Sequence, residues 1–378
     1  MHYRNALTGL LLAVLLAACS APQTVAPLAF DASAWPARVG AVDLQRLAQA
    51  PAETLDIALV SFDAGIPERS AGLSRQGIFP DIRQAEARFI PVRLRQVLQK
   101  SNAWGVVRVL PEPQLAPELQ IEGRIVHSDG RYLVVHVKVL DASGRAWLDA
   151  VYADESSAAD YPVAMDTDPF IDLYRQLAND LLATFRGLSS EEVLRIRRLA
   201  LLRQASALAP QAFGRFLQRD ENGNYQLQGL PAEGDPMLAR VQRIRNQEHL
   251  FIDTVDEQYV DLFQAMQPTY NLWRQYGREQ ALYRADYQRR LAQRDSAGAR
   301  GSYAAMEQSY NAYRWSKIQQ QDLEELARGF NNEVQPTVLD VSGSVVRLSG
   351  SLESQYDEWR RLLQAIFALE SGLPGTPP

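Results

Sequence analysis

Cysteine is nearly absent from this chain of 378 residues, with Cys19 its single instance. No disulfide can form within one molecule, so the fold must rest on its core and not on covalent staples. Histidine is scarce as well, with four in all. The sequence has no His-x-x-x-His pair, no cysteine cluster and no acidic loop of the calcium-binding kind, so nothing in it prepares a metal site. Gly-x-Ser-x-Gly, a phosphate-cradling glycine loop and the dinucleotide fingerprint are missing too. The expectation is a protein that is not an enzyme and holds neither cofactor nor metal. Basic charge is in deficit, 39 Lys+Arg against 45 Asp+Glu. That balance argues against nucleic acid or anionic headgroups as partners. Long apolar runs are absent beyond Leu7–Leu16, and a membrane-spanning helix needs roughly 20 such residues.

The one apolar run stands in an informative place. Arg4 precedes it, and Leu16-Ala17-Ala18-Cys19 follows it. A basic start, a short apolar stretch and small residues before a cysteine resemble the lipobox of bacterial lipoproteins. The resemblance implies that residues 1–18 are a signal peptide, removed before Cys19, and that lipid on the Cys19 thiol anchors the chain. Ser20 follows in place of aspartate, which implies the outer membrane, with the protein facing the periplasm. Loss of residues 1–18 removes one basic residue, Arg4, and leaves a formal charge of −7.

Residues 19–52 carry Pro22, Pro27, Pro36 and Pro51 among alanine and glutamine, and read as a tether with a short helix near Val42–Leu47. Residues 53–187 read as one α/β unit. Leu55–Phe62 is a strand, Asp81–Lys100 a helix that Pro91 should kink or divide, and Val106–Leu110 a second strand. From Leu119 to Val139 apolar and polar residues alternate around Ser128-Asp129-Gly130. A three-residue loop pairs Ile125 with Leu133, Gly123 with Val135 and Ile121 with Val137, so that both strands show one apolar face. Ala146–Tyr152 is a further strand. Asp168 should cap a closing helix that begins with Pro169 and stops at Gly187.

Strand, helix, strand and a meander reading Leu119-Gln-Ile-Glu-Gly-Arg-Ile-Val126, Asp129-Gly130, Val135-His-Val-Lys-Val-Leu-Asp141 and Gly144-Arg145 resemble the amino-terminal domain of TolB and the related CsgG-like lipoproteins. The resemblance covers about 130 of the 378 residues. It implies a mixed sheet packed by helices, and it speaks to fold more than to activity. The chain departs from TolB in lacking propeller repeats, and from CsgG in lacking long alternating hairpins for a membrane barrel.

Residues 188–332 turn helical. Ser189-Ser-Glu-Glu192 is a capping box, Glu221–Asn224 a loop, and Asp235-Pro236 a helix start with a break expected at Pro268. Asp295–Gly301 is a turn, with another helix to about Gly329. Residues 333–372 read as a β-hairpin, Thr337–Val341 and Val345–Leu348, followed by an amphipathic helix from Ser351 to Glu370. This last unit is loosely similar to the BON module of envelope proteins. Residues 373–378 form a loose tail. The expected fold class is α+β.

Few residues suggest chemistry. His127 falls beside the hairpin tip, His136 opposite Glu122 as an exposed cross-strand pair, and His249 in a solvated helix. Asp160, Asp166 and Asp168 lie close in sequence, but Asp168 is accounted for as a cap. One pattern recurs: Tyr270-Asn-Leu-Trp273-Arg274, Tyr310-Asn-Ala-Tyr313-Arg314 and Tyr356-Asp-Glu-Trp359-Arg360. At helical spacing the two rings and the arginine of each share a face. They could form a partner-binding surface, since such residues dominate interface hot spots. The favoured alternative is that they pack helix against helix while the arginine tips reach solvent, above all at Trp359, whose helix has an apolar stripe. The functional expectation is a non-catalytic envelope lipoprotein, a scaffold or accessory factor for assembly, transport or secretion. Its partners would be the outer membrane through the lipid and an envelope protein, with no nucleic acid. A module binding peptidoglycan or lipid is the alternative, and a periplasmic hydrolase a third reading.

Overall fold

The computed structural model describes residues 35–68, 72–73, 77–164, 167–297, 321, 336–341 and 344–372. Within these the fold is α+β. Strand β1 (Ile57–Val60) leads through α1 (Pro80–Lys100) to β2 (Val107–Leu110), and then to the meander β3 (Leu119–Ser128), β4 (Tyr132–Asp141) and β5 (Ala146–Glu155). Helices α2 (Ile171–Arg186), α3 (Ser190–Leu208) and the single turn α4 (Pro210–Phe213) follow. A small hairpin, β6 (Leu217–Arg219) and β7 (Tyr225–Leu227), precedes the long α5 (Pro236–Ala297). Hairpin β8 (Thr337–Val341) and β9 (Ser344–Leu348) and helix α6 (Leu352–Ser371) close the described chain.

The five-stranded sheet has the order β2-β1-β3-β4-β5. β1 is parallel to both of its neighbours, and the rest is antiparallel. A parallel central strand is covered on both faces, which is why β1 reads Ile-Ala-Leu-Val with every residue buried. Along β3 and β4, Leu119, Ile121, Ile125, Leu133, Val135, Val137 and Val139 are buried, while Gln120, Glu122, Arg124 and Lys138 face outward.

The expected register needs correction by two residues. Ile125 pairs with Val135, Gly123 with Val137 and Ile121 with Val139. The turn has two central residues, Gly130 and Arg131, closed by the Asp129 N–H on the Tyr132 carbonyl at 3.2 Å. Such a turn alone would set Ile125 against His136 and turn the apolar face outward. A β-bulge at Val126, between Ile125 and His127, restores the match.

Neither internal proline breaks its helix. Pro91 lies inside the continuous α1, and Pro268 inside the 62-residue α5. A proline at position 91 leaves the Ala87 carbonyl without its helical donor. The Phe62 N–H fills that place at 2.8 Å. Pro268 and Gln264, whose carbonyl it frees, are both exposed, so water can serve there. Helix α2 begins at Ile171 and not at Pro169. Asp168 still organises its start, its Oδ1 accepting the Phe170 N–H at 2.9 Å.

Other local signals act as read. Ser189 and Glu192 form the capping box, and Gly187 follows α2. Asp235 Oδ1 accepts the N–H groups of Met237 and Leu238, and Ser351 caps α6.

Residues 35–52 are not a free tether, and Val42–Leu47 is not helical. The segment lies along β5, α2 and the end of α1, with Val39, Leu44 and Leu47 against the core. Nor do the described residues beyond 188 form a separate layer. Phe251, Val255, Tyr259, Phe263, Tyr270 and Trp273 of α5 belong to the same core as Phe89 of α1 and Trp359 of α6. α5 also caps the edge of β2, Asp256 Oδ1 accepting the Val109 N–H at 3.1 Å.

Candidate functional site

The richest concentration of ionisable and aromatic side chains lies where α5 crosses α1. Helix α1 contributes Arg83, Glu86, Phe89 and Arg93. α5 contributes Tyr270, Trp273 and Arg274, one turn apart on its inner face. The end of β3 contributes Ser128, and the approach to α2 contributes Asp168. Arg274 is 1% exposed. Its Nη1 lies 3.0 Å from Asp168 Oδ2, and Arg93 Nε stands 3.6 Å from the same oxygen. The Tyr270 hydroxyl donates to Glu86 Oε1 at 2.7 Å, and the Ser128 hydroxyl to the same oxygen at 2.5 Å. Arg83 Nε sits 3.6 Å from Glu86 Oε2.

Rings complete the enclosure. The Arg274 guanidinium carbon is 4.2 Å from the Tyr270 ring centre and 5.3 Å from those of Phe89 and Phe170. Phe89 stacks on Phe263 at 4.2 Å and meets Tyr270 edge-on at 4.5 Å. Burial alone would lower the Arg274 pKa, but Asp168 and the surrounding tyrosine oxygens outweigh it and hold the group charged. Burial lowers the Arg83 pKa and raises those of Tyr270 and Tyr174. The chemistry of this junction is cohesion: each carboxylate is spent on holding two or more elements together.

The partner-surface reading is therefore corrected for Tyr270, Trp273 and Arg274, which are interior. Their stripe finds a complementary stripe on α1, and desolvated rings gain more there than in water. Tyr356 and Trp359 are interior as well, stacked on Phe251 at 5.8 and 5.5 Å. The Tyr356 hydroxyl donates to Glu248 at 2.9 Å, and Gln204 donates to the other oxygen of that carboxylate at 3.0 Å. Arg360 is half-exposed, 5.4 Å from the Tyr356 ring centre. Tyr310, Tyr313, Arg314 and Cys19 lie outside the described residues.

The histidines serve local contacts. His127 Nε2 is 2.9 Å from Asp129 Oδ2, and Trp35 leans on its ring at 5.0 Å. His136 faces Arg124 across the strands, not Glu122, and meets Asp149 at 2.7 Å. His249 is half-buried and not freely solvated. Burial pushes its imidazole down to about 4, helped by Arg108 and Arg245. Asp160 completes a capping box with Ser157. Asp166 lies outside the described residues.

Among the described residues, no group of three or more His, Cys, Asp or Glu is placed to hold a metal, and no helix is long and apolar enough to cross a membrane. No family model matches the chain, and neither the curated proteins nor the solved structures yield a significant match.

The charged residues that α1 brings to this junction were the part that sequence reasoning missed. Arg83, Glu86 and Arg93 recur at helical spacing on the same side of α1 as Phe89. Charge within an apolar stripe was the available signal for a buried pair.

Proposed function

We propose that the chain is a non-catalytic envelope lipoprotein, anchored by lipid on Cys19 in the outer membrane and facing the periplasm. It acts as a scaffold or accessory factor for assembly, transport or secretion by contacting another envelope protein. The observation that supports this reading is the rooting of α5. Arg274 and Tyr270 fix the middle of a 62-residue helix in a buried charge network. At 1.5 Å per residue such a helix is about 93 Å long. Beyond Gln280 no side chain is fully buried as far as Arg290; Arg284 still lies beside Gly77, and Leu282 and Gln288–Arg290 are exposed and open to contact. A long helix rooted in a compact body suits a protein that holds others in place better than one that turns over a substrate. The proposed kinship with the TolB amino-terminal and CsgG-like lipoproteins rests on the β-meander motifs and concerns fold alone.

Photocrosslinking residues placed in cells at Leu282 and Gln288 test the scaffold. Discrete crosslinks to envelope proteins are expected, and none from any α5 position would defeat it. Cys19→Ala tests the anchor. It should abolish lipid labelling and leave the protein unprocessed or soluble, whereas unchanged labelling and membrane fractionation would sink the lipoprotein reading.

A further inference from the structure

The chain touches the outer edge of β5 at Val39, bends at Gly40, where φ is +67°, and Ala41, and then runs as residues 42–47 along α2 and past the end of α1. No side chain between 35 and 50 is buried. The strap is held chiefly by its main chain. The Val39 N–H donates to the Ala153 carbonyl at 2.9 Å. The Val42 carbonyl accepts from Arg175 Nη1 at 3.2 Å. The Leu47 N–H donates to the Ser101 carbonyl at 2.9 Å, and its carbonyl accepts from Asn102 Nδ2 at 3.2 Å.

Asn179, buried in the middle of α2, grips the strap in both senses. Its Nδ2 donates to the Asp43 carbonyl at 2.9 Å, and its Oδ1 accepts the Gln45 N–H at 2.8 Å. A carboxamide buried in a helix face is costly unless both ends are bonded. Here the backbone of an extended peptide bonds them both. A groove that reads N–H and C=O groups is tolerant of side chains, apart from places for a few apolar anchors. Val39, Leu44 and Leu47 are those anchors.

We propose that this groove is a binding site for extended polypeptide, occupied in cis by residues 42–47 with Val39 seated beyond the bend. It exchanges that occupant for an extended segment of a partner protein bearing apolar side chains at the spacing of Val39, Leu44 and Leu47. The strap can leave without dismantling the core, because none of its side chains is buried. Its departure also frees the Ala153 carbonyl at the edge of β5 for an incoming N–H. The proposal is independent of the lipid anchor and of α5, and it gives a scaffold a second place to hold a partner.

The test uses the purified full chain carrying Leu44→Asp and Leu47→Asp, which weaken the cis occupant. The probe is a fluorescent peptide with the sequence of residues 36–48. Saturable binding is expected, weaker by about tenfold or more on the unaltered chain, where the strap competes. Methylating the peptide nitrogen at the Gln45 position removes one donor to Asn179 and should weaken binding by about tenfold. Replacing its Asp43 and Arg46 by other polar residues should leave binding unchanged. No saturable binding to a folded double variant, or equal binding of the methylated peptide, overturns the proposal. Should the double variant misfold, amide exchange on the unaltered chain decides. The Gln45 and Leu47 amides should exchange faster than those of β3 and β4, and excess peptide should alter their rates. Strap amides as slow as the core, or rates that peptide leaves unmoved, overturn it. Crosslinking from α5 reads the scaffold function separately, so the two can fail independently.

Discussion

Gly130 and Gly277 meet backbone to backbone. A Cβ built on Gly130 would stand 2.0 Å from the Arg274 carbonyl oxygen, and one on Gly277 would stand 2.6 Å from the Asp129 carbonyl oxygen. The β3–β4 turn thus rests directly on α5, one turn beyond the arginine that enters the buried junction. Gly130 also has φ +80°, where a side chain is strained.

Gly130→Ala and Gly277→Ala should each lower stability by about 1–3 kcal/mol, through overpacking against main chain that cannot yield. Gly144 is the control. Its φ is +93°, but its nearest neighbour is a side-chain oxygen of Asn224 at 3.4 Å. Gly144→Ala should cost only the backbone strain, about 1–2 kcal/mol. Urea denaturation measures all three. A Gly277→Ala protein as stable as the parent would show that the turn does not bear on the helix.

Arg274→Ala should destabilise the protein by about 3–5 kcal/mol, because Asp168 remains buried with only Arg93 nearby. Adding Asp168→Asn should recover part of the loss, and a double-mutant cycle reads the coupling. Trp273→Ala should cost about 3–5 kcal/mol through the cavity it leaves. If Trp273→Ala instead weakened partner capture with stability intact, its interior position would be wrong.

Tyr356→Phe keeps the ring stacked on Phe251 and removes only the donor to Glu248. A loss of about 1–3 kcal/mol is expected, the cost of an unmet buried acceptor. Trp359→Ala should cost more, about 3–5 kcal/mol. Thermal unfolding of the two variants checks the order, and the reverse order would place the weight of this contact on the hydrogen bond.

Two opposed groups should contribute to the response of stability to pH. Burial pushes the Asp154 carboxyl from 3.8 up to about 6. The folded state therefore keeps a proton that the unfolded chain has already lost, and stability falls as pH rises from about 4 to about 6. His249 is lowered from 6.5 to about 4. The unfolded chain takes up that proton first, so stability falls as pH drops from 6.5 to about 4. Asp154→Asn should make stability rise more steeply with pH across this window, and His249→Gln should make it rise less or fall. Denaturation midpoints between pH 4 and 7 measure both, and curves parallel to the parent's would refute the assignment.

Much of the local structure was legible in the sequence. Ser189 with Glu192, Asp235 and Ser351 announce helix starts because a side-chain oxygen satisfies amides only two or three residues away. The alternation in β3 and β4 announces a one-sided sheet because successive side chains point to opposite faces. These signals act within a few residues, so no distant partner can change their meaning.

Tertiary structure decided the rest. Pro91 ends no helix, because Phe62 brings a donor to the carbonyl of Ala87 from elsewhere in the chain. The register slips by two because a bulge at Val126 offsets the parity of the turn, and a bulge leaves no mark in the pattern of residue types. The Tyr-x-x-Trp-Arg segments lean toward a core by pattern, but composition leaves a surface open, most of all for Trp273. Tyr270, Trp273 and Arg274 become interior only because α1 presents Glu86 and Phe89, with Asp168 brought in beside them, across more than a hundred residues of chain. Burial belongs to two surfaces brought together and not to either segment alone.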